Sequence, residues 1–166
     1  MHQEITAQAI RYFTENTNKV TKCLEQLSEE EVWQRPNNAS NAVGNQILHL
    51  CGNITQYAIA SLGQNEDLRE RDSEFAATGG LSKAQLLDKL SNTVNQAIHT
   101  FDTLKEEELL RVRSVQGFSY TGIAVIMHVV EHYSYHTGQI AFWTKLLKDK
   151  SLGFYDGIDL NAKNES

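Results

Sequence analysis

One proline, Pro36, is the only one in 166 residues, and the ten glycines fall mainly at breaks between apolar stripes. Proline removes a backbone donor and clashes with the preceding turn, so its near absence leaves long stretches free to run as helix. Four stretches use that freedom, with apolar residues recurring every three or four positions. The first spans Gln3 to Leu27 and sets Ile5, Ala9, Phe13, Val20 and Leu24 on one face. Ser28 and Glu31 then have the spacing of a capping box opening a short turn around Val32 and Trp33, which Pro36 ends. The second helix starts at Ser40 or Asn41 and runs to Leu62, with Gly63 as its C′ residue. The third spans Lys83 to Leu104 behind the cap residue Ser82, and the fourth runs from Tyr120 or Thr121 to Lys148.

Four helices with one apolar face each predict an all-α fold, a four-helix bundle. Residues 63–80 turn polar and charged around NEDLRERDSEF, which predicts a long connection crossing the bundle between helices two and three. Residues 105–118 read as a turn of helix followed by extended chain, and no chemistry is placed there. One domain is expected over residues 1–155, with 156–166 as a flexible tail.

The fourth helix contains HVVEHYSYHTGQI, which sets His128, His132 and His136 four residues apart. Four residues advance about 400° and about 6 Å, so the imidazoles form a stripe. The outer two lie about 12 Å apart along the axis, whereas Zn–N bonds are about 2.1 Å, so one ion cannot take all three. An adjacent pair can share an ion, and a third ligand must come from elsewhere. On the second helix, Gln46, His49, Asn53 and Gln56 form a polar stripe beside the core face, which predicts the edge of a cavity. His49, near mid-helix, is the candidate third ligand. His2 and His99 lie off the apolar faces and are expected in solvent. Tyr133, Tyr135, Phe142 and Trp143 are expected in the core or at a dimer interface.

Composition narrows the function. Fifteen basic against 21 acidic residues give a net charge of −6 with no basic block, which argues against nucleic acid as a partner. No apolar run approaches 18 residues and no N-terminal apolar segment is present, so neither membrane insertion nor secretion is expected and the cytoplasm is the default location. The two cysteines, Cys23 and Cys51, are not in a CxxC pair and are expected as small buried hydrophobes.

The stretches LSEEEVWQRPNNASNAVGNQILHLCGNITQY and HVVEHYSYHTGQIAFW together resemble the DinB superfamily of metal-dependent bacterial proteins, a likeness that extends over Gln3 to Leu147. The resemblance implies a four-helix bundle in up-down-down-up order, a homodimer, and a divalent metal held by His49, His132 and His136. Many relatives carry arginine directly after the last histidine, where this chain has Thr137. That position points about 100° from His136, so the triad is unaffected, while any substrate or dimer contact made by the arginine is lost.

Ligating imidazoles usually donate their other N–H to an oxygen. Asn45, Asn53 and Gln139, each one turn from a ligand, are therefore candidates for that support or for the substrate pocket. His128 and Glu131 are further candidates there. Three neutral nitrogens leave a coordination position for water or substrate, as in catalytic zinc sites, although imidazole also suits nickel. The open position predicts a metal-dependent enzyme that activates a bound water or thiol, so a hydrolase or a transferase; the resemblance to DinB proteins implies the latter as a thiol S-transferase using a low-molecular-weight thiol as cosubstrate. The alternative is a stress-related dimeric bundle that binds metal or a small ligand without turnover.

Overall fold

The computed structural model describes residues 2–164. Its long helices are α1 (His2–Gln26), α3 (Val43–Ile54) with a π-helical continuation at Thr55–Leu62, α5 (Lys83–Thr103) and α7 (Gly122–Lys148). Short helices intervene, α2 (Glu29–Trp33), α4 (Arg71–Ala76) and α6 (Glu106–Leu110), together with a hairpin of β1 (Val112–Val115) and β2 (Phe118–Thr121). Helix α1 packs on α5 and α7, and α3 packs on the same two. Beyond α7 the chain stays packed at Gly153, whose carbonyl accepts from Lys22 Nζ at 2.8 Å; of the expected tail 156–166, residues 156–164 are exposed and residues 165 and 166 lie outside the described residues.

Capping accounts for several helix starts. Ser28 Oγ accepts from Glu31 N while Glu31 Oε2 accepts from Ser28 N, the reciprocal box expected from the spacing. Ser82 pairs with Gln85 in the same way at the start of α5. Helix α3 begins at Val43, later than the expected Ser40 or Asn41. Its cap residue is Ala42, which has no side-chain acceptor, and Asn45 Oδ1 takes the Ala42 N–H instead.

The all-α expectation needs correction at residues 112–121, which form an antiparallel hairpin with Val115 opposite Phe118. Gln116 and Gly117 turn it with φ of 55° and 81°, the paired positive values of a two-residue hairpin loop. The first two residues of β1 invert the usual alternation, which hides the hairpin from pattern reading, while Val115 is buried. Val112 faces solvent, while Arg113 is buried and donates to the Glu108 carbonyl and carboxylate. Gly63 also differs from expectation. Its φ is −77°, and the left-handed residue is Gln64; glycine is required because a Cβ would meet the Ile59 carbonyl oxygen.

The core centres on Phe13, fully buried, with its ring edge-on to Phe101 at 5.2 Å and to Tyr133 at 5.3 Å. The Tyr133 hydroxyl shares a 2.8 Å hydrogen bond with Thr17. Packing of α1, α5 and α7 here sets the separation of α3 and α7, the two helices that carry the histidines.

Candidate metal centre

His49 projects from α3 and His132 and His136 from α7, and one ring nitrogen from each lies within 4.8 Å of the others. His49 Nε2 stands 3.1 Å from His132 Nε2. Bonds of about 2.1 Å to a shared ion place ligand nitrogens about 3.0–3.4 Å apart, so this pair already has the spacing of two ligands. Nδ1 of His132 and Nδ1 of His136 are buried without a hydrogen-bond partner. A donor set of three converging imidazoles fits a divalent transition metal.

The other nitrogen of His49 is held from the long connection. Glu74 on α4 accepts from His49 Nδ1 at 2.9 Å, and Arg69 donates to both Glu74 oxygens, Nε to Oε1 at 2.7 Å and Nη2 to Oε2 at 2.9 Å. Arg69 Nη2 also lies 3.2 Å from His49 Nδ1, but a guanidinium only donates, so that proximity is not a bond. An ionised carboxylate only accepts, so His49 carries its proton on Nδ1 and presents a lone pair on Nε2. Arg69 Nη1 donates to Gln56 at 2.9 Å. Gly52 lets the carboxylate approach α3, since a Cβ there would collide with Glu74 Oε1.

Nothing in the sequence marked Glu74 or Arg69. They sit in an acidic, polar stretch whose local composition is that of a solvated loop, and only the chain crossing buries them. A weaker signal was present in the stripe on α3, where Gln56 anchors Arg69 and Gln46 borders the cavity.

The remaining candidates are dispersed. Asn45 does not serve His49; its Nδ2 donates to the carbonyls of Glu74 and Ala77 at 3.0 and 2.7 Å and pins α4 to α3. Asn53 turns away from His49 too, donating to His128 Nε2 at 3.3 Å. His128 is outside the ligand cluster, stacked on Tyr57 with ring centroids 4.1 Å apart and on the His132 ring at 5.6 Å. Glu131 is exposed and borders a groove between α1 and α7, because one residue of offset from His132 turns it about 100° away. Gln139 stays near the histidines. With Gln46, Phe75, Phe142 and Trp143 it borders a cavity of about 530 Å³ that reaches His49 and His136. Tyr133 is core, as expected, whereas Tyr135 and Phe142 are exposed at the cavity. Thr137 is buried and donates to the Tyr133 carbonyl, so this position does not face the cavity.

Burial, reinforced by the neighbouring imidazoles, pushes His132 down to about 3. Burial and His49 bring His136 to about 4, with the Gln139 amide opposing. Both are neutral at pH 7, the form that ligates. Burial raises the Glu74 carboxyl, but the bonds from Arg69 and His49 outweigh it and the net shift is downward. A stability consequence follows with a definite sign. An unfolded histidine titrates near 6.5. Below that value the unfolded chain binds protons that buried His132 and His136 refuse. Their contribution is therefore complete above about 6.5 and is lost as the pH falls through about 4 for His136 and toward about 3 for His132. The urea midpoint of ion-free protein should drop between pH 7 and pH 5; a flat profile would show the imidazoles to be solvated.

The fold matches solved structures. A conserved protein from Enterococcus faecalis aligns with TM-score 0.74 at 18% identity, covering 87% of this chain and 98% of that one. The DinB-like protein YjoA from Bacillus subtilis aligns with TM-score 0.65 at 18% identity, covering 84% and 91%. A DinB-like protein from Bacillus cereus aligns with TM-score 0.64 at 14% identity, covering 84% and 90%. These likenesses define a mostly helical, DinB-like fold, here carrying a three-histidine group able to hold a metal ion. Over residues 1–155 the chain belongs to the family described as a protein of unknown function, DUF1572. A comparison with curated proteins finds no match.

Proposed function

We propose that the protein is a metal-dependent enzyme in which His49, His132 and His136 hold a divalent ion, zinc or nickel, and leave a position open to a small molecule. The observation that carries this reading is the convergence of three ring nitrogens within 4.8 Å from two helices. When bound, such an ion supplies Lewis acidity and lowers the pKa of a water or thiol at the open position. The reaction class is transfer of a low-molecular-weight thiol to an electrophile, or hydrolysis.

The chain's own residues support that chemistry by shaping the space beside the histidines. The two histidines aside, the cavity has no acidic or basic side chain in its lining, Phe75, Phe142 and Trp143 supply apolar surface, and Gln46 and Gln139 supply amides to orient an electrophile. His128, fixed by Asn53 and Tyr57, walls the site one turn from His132. Neither cysteine serves as nucleophile, since burial pushes both thiols up to about 11. The same reading has the bundle run up-down-down-up as one domain over 1–155 and act as a cytoplasmic homodimer. It engages neither nucleic acid nor membrane, in keeping with the net charge of −6 and with the lack, among the described residues, of any helix long and apolar enough to span a bilayer.

A second reading, ligand binding without turnover, is favoured by one observation. Glu74, the carboxylate bonded to His49, is already committed to Arg69 and does not serve as a free general base. Protein purified without a histidine tag should contain about one ion per chain by elemental analysis, and His49→Ala should lose it. Full retention by the variant would sink both readings. Thiol titration of cobalt-loaded protein separates them: perturbed absorption together with transferase turnover supports the enzyme, and unchanged absorption supports closed binding.

A further inference from the structure

We propose that Glu74 and Arg69, both on the connection between α3 and α5, are positioning residues of the metal centre, fixing the tautomer and the aim of His49. The inference rests on the metal reading above and extends the centre to a segment of the chain that carries no ligand. His49 is the one ligand on α3, so unlike the pair on α7 it has no helical neighbour to set its direction. Its Nδ1 is bonded to Glu74 Oε2 at 2.9 Å, which places the proton there and leaves the Nε2 lone pair directed at His132.

The carboxylate is itself immobilised. Arg69 binds both its oxygens, the two side chains are 3% and 8% exposed, and Gly52 admits Oε1 against α3. Gln56, one turn beyond Asn53 on the helix that carries His49, anchors the outer end of the guanidinium. Asn45 ties the backbone of α4 to the start of that helix through the Glu74 and Ala77 carbonyls. Helix α3 thus grips the connection at two points that bracket His49, and the connection returns one carboxylate to it. A carboxylate alone would give the ion a negative second neighbour; paired with Arg69 it orients the imidazole while contributing little net charge.

The main test uses a double variant that strands neither charge. In Glu74→Leu with Arg69→Met both ends of the ion pair become apolar at similar volume, a change often neutral for folding. The double variant should keep its helical circular dichroism, bind cobalt about 10- to 100-fold more weakly, and show a shifted cobalt d–d spectrum. Glu74→Gln, which keeps an acceptor oxygen for Nδ1–H, should fall between wild type and the double variant. Should the double variant fail to fold, Glu74→Gln alone decides by the same two readouts. Wild-type affinity and spectrum in a folded variant would overturn the assignment while leaving the three-histidine site intact. A wild-type chain that binds no ion would overturn the metal reading, and this assignment with it.

Discussion

Glu74→Ala should lower the unfolding free energy of the ion-free protein by about 3–5 kcal/mol, the cost of leaving a buried charge without its partner. Arg69 is the stranded group, its side chain only 3% exposed and its Nε and Nη2 both committed to the carboxylate. Gln56 accepts one guanidinium N–H and cannot neutralise the charge. The pair Arg11–Glu15 on α1 serves as a control, because its side chains are 64% and 41% exposed. Disrupting that pair should leave the urea midpoint almost unchanged, since water and salt screen an exposed pair. Urea unfolding at pH 7 measures both. A Glu74→Ala loss no larger than that of the control would mean that water or a local rearrangement solvates Arg69.

Phe13→Ala should cost about 3–5 kcal/mol as well, by a different mechanism. Its ring is fully buried and sits edge-on to Phe101 and Tyr133, so truncation removes transfer free energy and leaves a cavity between three helices. Leu should be tolerated better because it refills part of that volume. The two substitutions separate in their effect on the metal centre. The ring partners of Phe13, Phe101 and Tyr133, are not among the three histidines, so a folded Phe13→Leu protein should retain wild-type cobalt affinity, whereas loss of Glu74 should not. Unfolding curves combined with cobalt titration check this, and equal losses of affinity would show that the core and the centre are coupled.

Much of the fold was legible because helices announce themselves locally. Ile47, Leu50 and Ile54 recur at helical spacing and are all buried, and the Ser28 box has the geometry its spacing implies. The hairpin was not legible, because inward Arg113 and outward Val112 reverse the usual hydrophobic alternation. The start of α3 was misplaced for a related reason. Its cap oxygen comes from Asn45 inside the helix rather than from the residue before it.

The histidine spacing by itself determined that one ion cannot take all three imidazoles of α7 and that an adjacent pair, His128 with His132 or His132 with His136, can share one, since helix rise and pitch are properties of the backbone. The polar stripe and the mid-helix place of His49 made it the candidate third ligand, and the likeness to DinB proteins implied the set His49, His132 and His136. Only the tertiary structure decided that these rings converge, that Asn45 and Asn53 serve other partners, and that Glu74 and Arg69 complete the surroundings of His49. Those outcomes depend on where residues 63–80 cross the bundle. A crossing is settled by packing between residues far apart in the chain, which leaves no periodic mark in the sequence.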